Sequence, residues 1–161
     1  MKTDKKKKVL IALDYDQTAQ KVAETGFSMA KAMYADVTLL HVISDPVYYA
    51  STEYSPIMGL TDSLGVDPLQ FDGLDRLKQV SQNFLNKTKL HLGDETIQTI
   101  IVEGDFADSI LKTAKDRHAD IVVMGTHSRK WLENIVMGSV TESVLRQSVI
   151  PLFIIPTKKH S

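Results

Sequence analysis

Apolar residues along this chain fall into two alternating modes. Five short runs are mainly apolar: Val9-Leu10-Ile11-Ala12-Leu13, residues 36–43, 96–102 and 119–124, and Leu152-Phe153-Ile154-Ile155 between Pro151 and Pro156. Between them the pattern changes to three- and four-residue spacing. Val22, Gly26, Met29, Ala30 and Met33 form one such set, and Leu74, Leu77, Phe84, Leu85 and Thr88 a second. Ala107, Ile110, Leu111 and Ala114 form a third, followed by Val140, Val144 and Leu145. Short runs rich in β-branched residues predict strands, and the 3.6-residue period predicts helices that bury one face. Strands apolar on both faces belong in the interior of a parallel sheet. The run at 96–102 alternates at its start, which predicts an edge-like position. Proline at both ends of the last run predicts an edge strand, or one paired only through its middle.

Punctuation agrees with this division. Thr18 and Asp105 stand where N-caps are needed, and Ser139 with Glu142 three residues on fits a capping box. Gly93 follows the second helix as a C-terminal stop. The order is β-α-β-loop-α-β-α-β-α-β, which predicts the α/β class. The expected architecture is a single-domain open parallel five-stranded sheet, Rossmann-like, with helices on both faces and residues 1–161 in one domain. Residues 44–70 hold no sustained period. They contain Pro46, Pro56, Pro68, Gly59 and Gly65 with Tyr48, Tyr49 and Tyr54, and read as a long irregular insert or lid. The tyrosines read as packing or surface residues.

The candidate chemistry lies after the fourth strand. Gly125-Thr126-His127-Ser128 leaves it, and Gly138-Ser139-Val140-Thr141 opens the last helix. A strand that runs through small and polar residues into a capped helix start builds an anion site. The first helical N–H groups are unpaired and sit at the positive end of the helix dipole. In open parallel sheets the ligand crevice lies at the carboxyl ends of strands where the strand order reverses. If the first and fourth strands are neighbours there, Asp14 faces this segment across the crevice. Asp14 is then an acidic group at the rim of the crevice; its alternative role is to end the strand and cap a turn. His127 reads equally as a solvated histidine or a phosphate contact. His41, inside an apolar strand, reads as a structural histidine.

Composition narrows the function classes. A net charge of −1 with 24% charged residues argues against a nucleic-acid binder, which would carry a basic face. The absence of Cys excludes disulfides and thiolate chemistry. No apolar run reaches membrane-spanning length and no signal-peptide core follows the basic start, so the expected location is the cytoplasm. Lys5-Lys6-Lys7-Lys8 reads as a solvated terminus. No His, Asp and Glu cluster shows metal-ligand spacing, so a metal is expected only with a ligand that carries it. P-loop, dinucleotide-turn and nucleophile-elbow motifs are missing from the sequence. No residue is assigned a catalytic role.

The landmarks in order are the strand ending at Asp14, Leu39-Leu40-His41-Val42, Glu103-Gly104, and Gly125-Thr126-His127 through Gly138-Ser139. Together they resemble the universal stress protein family over nearly the whole chain. Nucleotide-binding members of that family carry Gly-x2-Gly-x9-Gly-Ser/Thr in the last motif. This chain has Gly125, then Ser128 in place of the second glycine, then nine residues to Gly138-Ser139. The resemblance implies ATP in the crevice, often with Mg or Mn on its phosphates, and a role in stress response or signalling. It implies Asp14 on the ribose, Ala12 and Leu13 bordering the base, and the Val42 backbone meeting the adenine. Met124, Gly125, His127 and Ser128 would line ribose and phosphate, and Gly138, Ser139, Val140 and Thr141 would hold the phosphates. It also implies a homodimer through the last strand, Leu152, Phe153, Ile154 and Ile155. A serine at 128 costs about 1–2 kcal/mol if that position needs φ > 0; otherwise it adds a hydroxyl donor. Two other functions share the crevice: a slow ATPase with water oriented by Asp14 or His127, or a dimeric interaction protein that has lost nucleotide binding.

Overall fold

A computed structural model of the chain describes residues 5–14, 17–44, 73–126 and 139–157. Five strands are present among them: β1 (Lys8–Ala12), β2 (Asp36–Ile43), β3 (Gln98–Glu103), β4 (Ile121–Gly125) and β5 (Leu152–Ile155). Four helices alternate with these strands: α1 (Ala19–Ala32), α2 (Gly73–Leu92), α3 (Phe106–Asp116) and α4 (Ser139–Gln147). All pairings are parallel, and the strand order is β3-β2-β1-β4-β5. The expected class therefore holds: an open parallel α/β sheet with helices on both faces. β3 and β5 are the two edges, as their patterns predict.

The two-residue period of the strands sorts the core into two layers. Val9, Ile11, Val37, Leu39 and Val123 face one way and pack with Phe27 of α1 and Leu85 of α2. Leu10, Leu40, Val42, Val122 and Met124 face the other way, against Ile110 of α3 and Val144 of α4. α1 lies especially close to the sheet. A Cβ added at Gly26 would sit 2.9 Å from Val123 Cγ1 and 3.0 Å from Ile11 Cδ1. Glycine there admits the helix to the strands.

Tertiary packing redraws several sequence-based assignments. Met33 is 37% exposed just beyond α1, and Ala19, Ala23 and Phe27 complete the buried face instead. Leu145 is 48% exposed, whereas Thr141 is 3% exposed on the packed side of α4. Thr18 occupies the N-cap position of α1, but its side chain makes no capping hydrogen bond because its backbone is already helical. Asp105 does cap α3, accepting from the Asp108 N–H at 3.0 Å. The basic start keeps its solvated reading, Lys5 through Lys8 being exposed, while the Asp36 N–H donates to the Lys7 carbonyl at 2.8 Å and Lys6 pairs with Asp36 at 3.0 Å. Of the 44–70 segment only Ser44 lies within the described residues.

Two helix-to-strand turns share one geometry. After α1, Tyr34 takes φ 55°, its N–H bonds to Lys31 O, and the Ala35 N–H bonds to Ala30 O at 2.9 Å. After α3, His118 takes φ 55° with the equivalent bonds to Lys115 O and Ala114 O. Both are Schellman stops built without glycine. In each, Ala-Asp then leads into the next strand, as Ala35-Asp36 and Ala119-Asp120. The second helix stops conventionally at Gly93, φ 73°.

Candidate functional site

β1 and β4 pair directly, Val9 to Ile121 through Ile11 to Val123. From β1 the chain proceeds outward through β2 to β3, and then returns across the sheet to β4. The order thus reverses between β1 and β4, and their carboxyl ends open on the same mouth. The expected adjacency of Asp14 and Gly125 is present: both line one cleft enclosing about 590 Å³, part of it open to solvent.

β1 contributes Ala12, Leu13 and Asp14 to the lining. The Leu13 N–H donates to Leu40 O at 2.8 Å, so the strand ladder extends one residue beyond β1 and delivers Asp14, half-buried, at the rim. Val42 enters from β2, with Met124 and Gly125 from β4 and Val140 and Thr141 from α4. Eight of the residues singled out in the sequence therefore meet at one cleft: Ala12, Leu13, Asp14, Val42, Met124, Gly125, Val140 and Thr141. His127, Ser128 and Gly138 lie outside the described residues, and Ser139 is described only as the first residue of α4.

Thr141 shows how the β4 exit is held. Its hydroxyl donates to Gly125 O at 2.8 Å, tying the first turn of α4 to the end of β4. That hydrogen is committed, but the Thr141 main-chain N–H lies in the first turn of α4, where no intrahelical acceptor exists. Thr126 continues the join to the edge strand, its N–H donating to Ile155 O at 3.0 Å. Its hydroxyl accepts from the Thr157 N–H at 3.1 Å.

Sequence reasoning missed Thr18, Ala19, Val22, Leu40, Phe106 and Ile110. Val22, Leu40 and Ile110 fit the apolar pattern of their own helix or strand, which marks them as core; Thr18 reads as an N-cap, and Ala19 and Phe106 fall in none of the periodic sets. The missed signal is topological: in a parallel sheet every helix that follows a strand begins at the carboxyl end. α1, α3 and α4 all start at this mouth, and Phe106 follows directly on the Asp105 cap.

The lining suits a ligand with an apolar part and a polar part. Leu40, Val42, Ile110 and Met124 form an apolar wall continuous with the core layer under α3 and α4. Asp14 is the only ionisable group among the described lining residues. Its carboxylate can accept hydrogen bonds from hydroxyl groups, and the start of α4 offers main-chain donors to an anion. Among the described residues no group of three or more His, Asp or Glu could hold a metal ion. His41 lies beneath the rim, 1% exposed, with Nδ1 2.9 Å from Leu13 O. Burial holds its pKa below the usual histidine value, while the Asp14 carboxylate and the Leu13 carbonyl pull the other way.

Comparison with known proteins agrees with this architecture. The model of the universal stress protein family matches residues 6–156. The chain belongs to that family. It is 30% identical over 156 residues to universal stress protein MJ0577 of Methanocaldococcus jannaschii, covering 94% of this chain and 96% of the relative. The solved structure of MJ0577 superposes with a TM-score of 0.69 at 28% identity, over 96% of this chain and 98% of that one. A universal stress protein solved in complex with cAMP shares the fold, with a TM-score of 0.63 at 17% identity. The alignment spans 95% of this chain and 98% of that protein. No described helix of this family member is long and apolar enough to cross a membrane.

Proposed function

We propose that this universal stress protein binds an adenine nucleotide, ATP in the first place, in the cleft between β1 and β4, and acts in stress response or signalling. The observation that carries this reading is the convergence of Asp14 with Gly125, Val140 and Thr141 at the point where strand order reverses. In the proposed complex Asp14 accepts from the ribose hydroxyls, Ala12 and Leu13 border the base, and the Val42 backbone meets the adenine edge. Met124, Gly125, His127 and Ser128 line the ribose and first phosphate. Main-chain donors of Gly138, Ser139, Val140 and Thr141 take the remaining phosphates, with Mg or Mn carried in on them. The apolar wall and the helix start fit these two halves of the ligand. A relative of the same fold was crystallised with cAMP, which makes a cyclic nucleotide the natural competitor to test.

Calorimetric titration of the full chain with ATP, with and without magnesium, tests the reading. Saturable binding near one nucleotide per chain, displaced weakly or not at all by cAMP, is expected. No heat at millimolar ATP from a folded sample would overturn it, and tighter binding of cAMP would reassign the ligand within the adenine class.

A further inference from the structure

The last backbone-paired residue of β1 in register with β2 is Ala12, opposite Leu40. One residue later the chain leaves the sheet, and the next side chain is Asp14. The direction of that departure is set by the Leu13 peptide plane, which contains both the Leu13 carbonyl and the Asp14 N–H. Fixing the carbonyl oxygen therefore fixes the plane from which Asp14 emerges.

That oxygen is held by a side chain. His41 Nδ1 lies 2.9 Å from it, and a carbonyl only accepts, so the imidazole carries a proton on Nδ1 and donates. With the Leu13 N–H bonded to Leu40 O at 2.8 Å, β2 grips both polar groups of Leu13, one through its main chain and one through His41. The imidazole is constrained in turn. It is 1% exposed, and Phe84 of α2 meets it edge-on with ring centroids 6.3 Å apart at 76°. The Asp14 carboxylate acts on the ring electrostatically.

We propose that His41 is a positioning residue of the cleft: its buried imidazole holds the Leu13 carbonyl and so aims Asp14 at the ligand. This rests on the reading of the cleft as a nucleotide site with Asp14 on the ribose. His41 does not touch the ligand; it acts through Asp14. Without the Nδ1 donor, the Leu13 carbonyl turns toward water in the unliganded protein, and binding must restore its orientation.

The test is a double-mutant cycle on the full chain, read by calorimetric titration with magnesium and ATP. His41→Leu weakens binding by about tenfold, the scale set by one lost hydrogen bond to a buried group. His41→Asn stays close to wild type, because its amide nitrogen takes the place of Nδ1. In an Asp14→Ala background, His41→Leu causes no further loss, since the residue it acts through is gone. A merely structural role would weaken binding by the same factor in both backgrounds, and that result overturns the inference. If His41→Leu does not fold, His41→Gln replaces it, because its amide reaches the Nε2 position instead and leaves the carbonyl ungripped. Equal affinity in wild type and the Leu or Gln variant overturns the inference and leaves the nucleotide reading standing. A wild-type protein that binds no ATP overturns both.

Discussion

At the scale of single residues, two buried polar side chains define the mouth of the cleft. His41 and Thr141 each donate to a carbonyl at the exit of a neighbouring strand, Leu13 on one side and Gly125 on the other. Their identity as donors was not legible in the sequence: a histidine in an apolar strand and a threonine in a helix have many uses, and the partner of each lies far away in the chain. Thr141→Val keeps the shape and removes the donor. It is expected to lower stability by about 1 kcal/mol, read as a shift in urea midpoint with an unchanged slope. His41 makes a different prediction. Its folded pKa is depressed by burial, against the opposing pull of the Asp14 carboxylate and the Leu13 carbonyl. The unfolded chain therefore binds this proton first, and its contribution favours folding above the ordinary histidine value of about 6.5 and is lost as pH falls below it. Urea unfolding at pH 8 and pH 5.5 should show a drop in wild-type stability that is smaller in His41→Asn.

At the scale of elements, periodicity located every described helix and strand, with ends shifted by one or two residues. The β2 limits of 36 and 43 agree with the sequence reading. Apolar faces were less certain, because a 3.6-residue period tolerates a neighbouring position on either side of the stripe. Leu145 and Met33 fit the period and face outward; Thr141 and Phe27 are the residues that pack. Helix stops carry the next prediction. Tyr34 is 82% exposed and holds φ 55°, a left-handed conformation that burdens any residue with a Cβ. Tyr34→Gly should raise stability by roughly 0.5–1 kcal/mol, the relieved strain exceeding the added freedom of the unfolded chain. A fall in urea midpoint would contradict it. The α1–sheet contact gives the opposite case. Gly26→Val forces methyl groups into Val123 and Ile11 and is expected to destabilise by about 1–3 kcal/mol, measured as a lower Tm.

At the scale of the whole molecule, β5 is an edge strand with β4 as its neighbour and Leu152, Phe153 and Ile154 half-buried. An apolar strand at the end of the sheet, with β4 its one partner among the described strands, invites pairing with a second copy. We expect a homodimer through β5, and a monomeric mass by light scattering at high concentration would contradict it. Sequence by itself determined the alternation of strands and helices, because hydrophobic period, caps and turn residues are local properties of the chain. It determined the parallel sheet too, since continuous apolar strands joined by helices have no other way to bury both faces. It also marked Asp14 and the 125–141 segment as chemically distinctive, because carboxylate, glycine and helix-start residues announce themselves by type. Tertiary structure alone decided that they share a mouth. That depends on β1 pairing with β4 across more than a hundred residues of chain, a choice made by the packing of two core layers and by no local signal. It also decided that His41 and Thr141 hold the carbonyls beside the site, because a hydrogen bond is selected by where its partner lies.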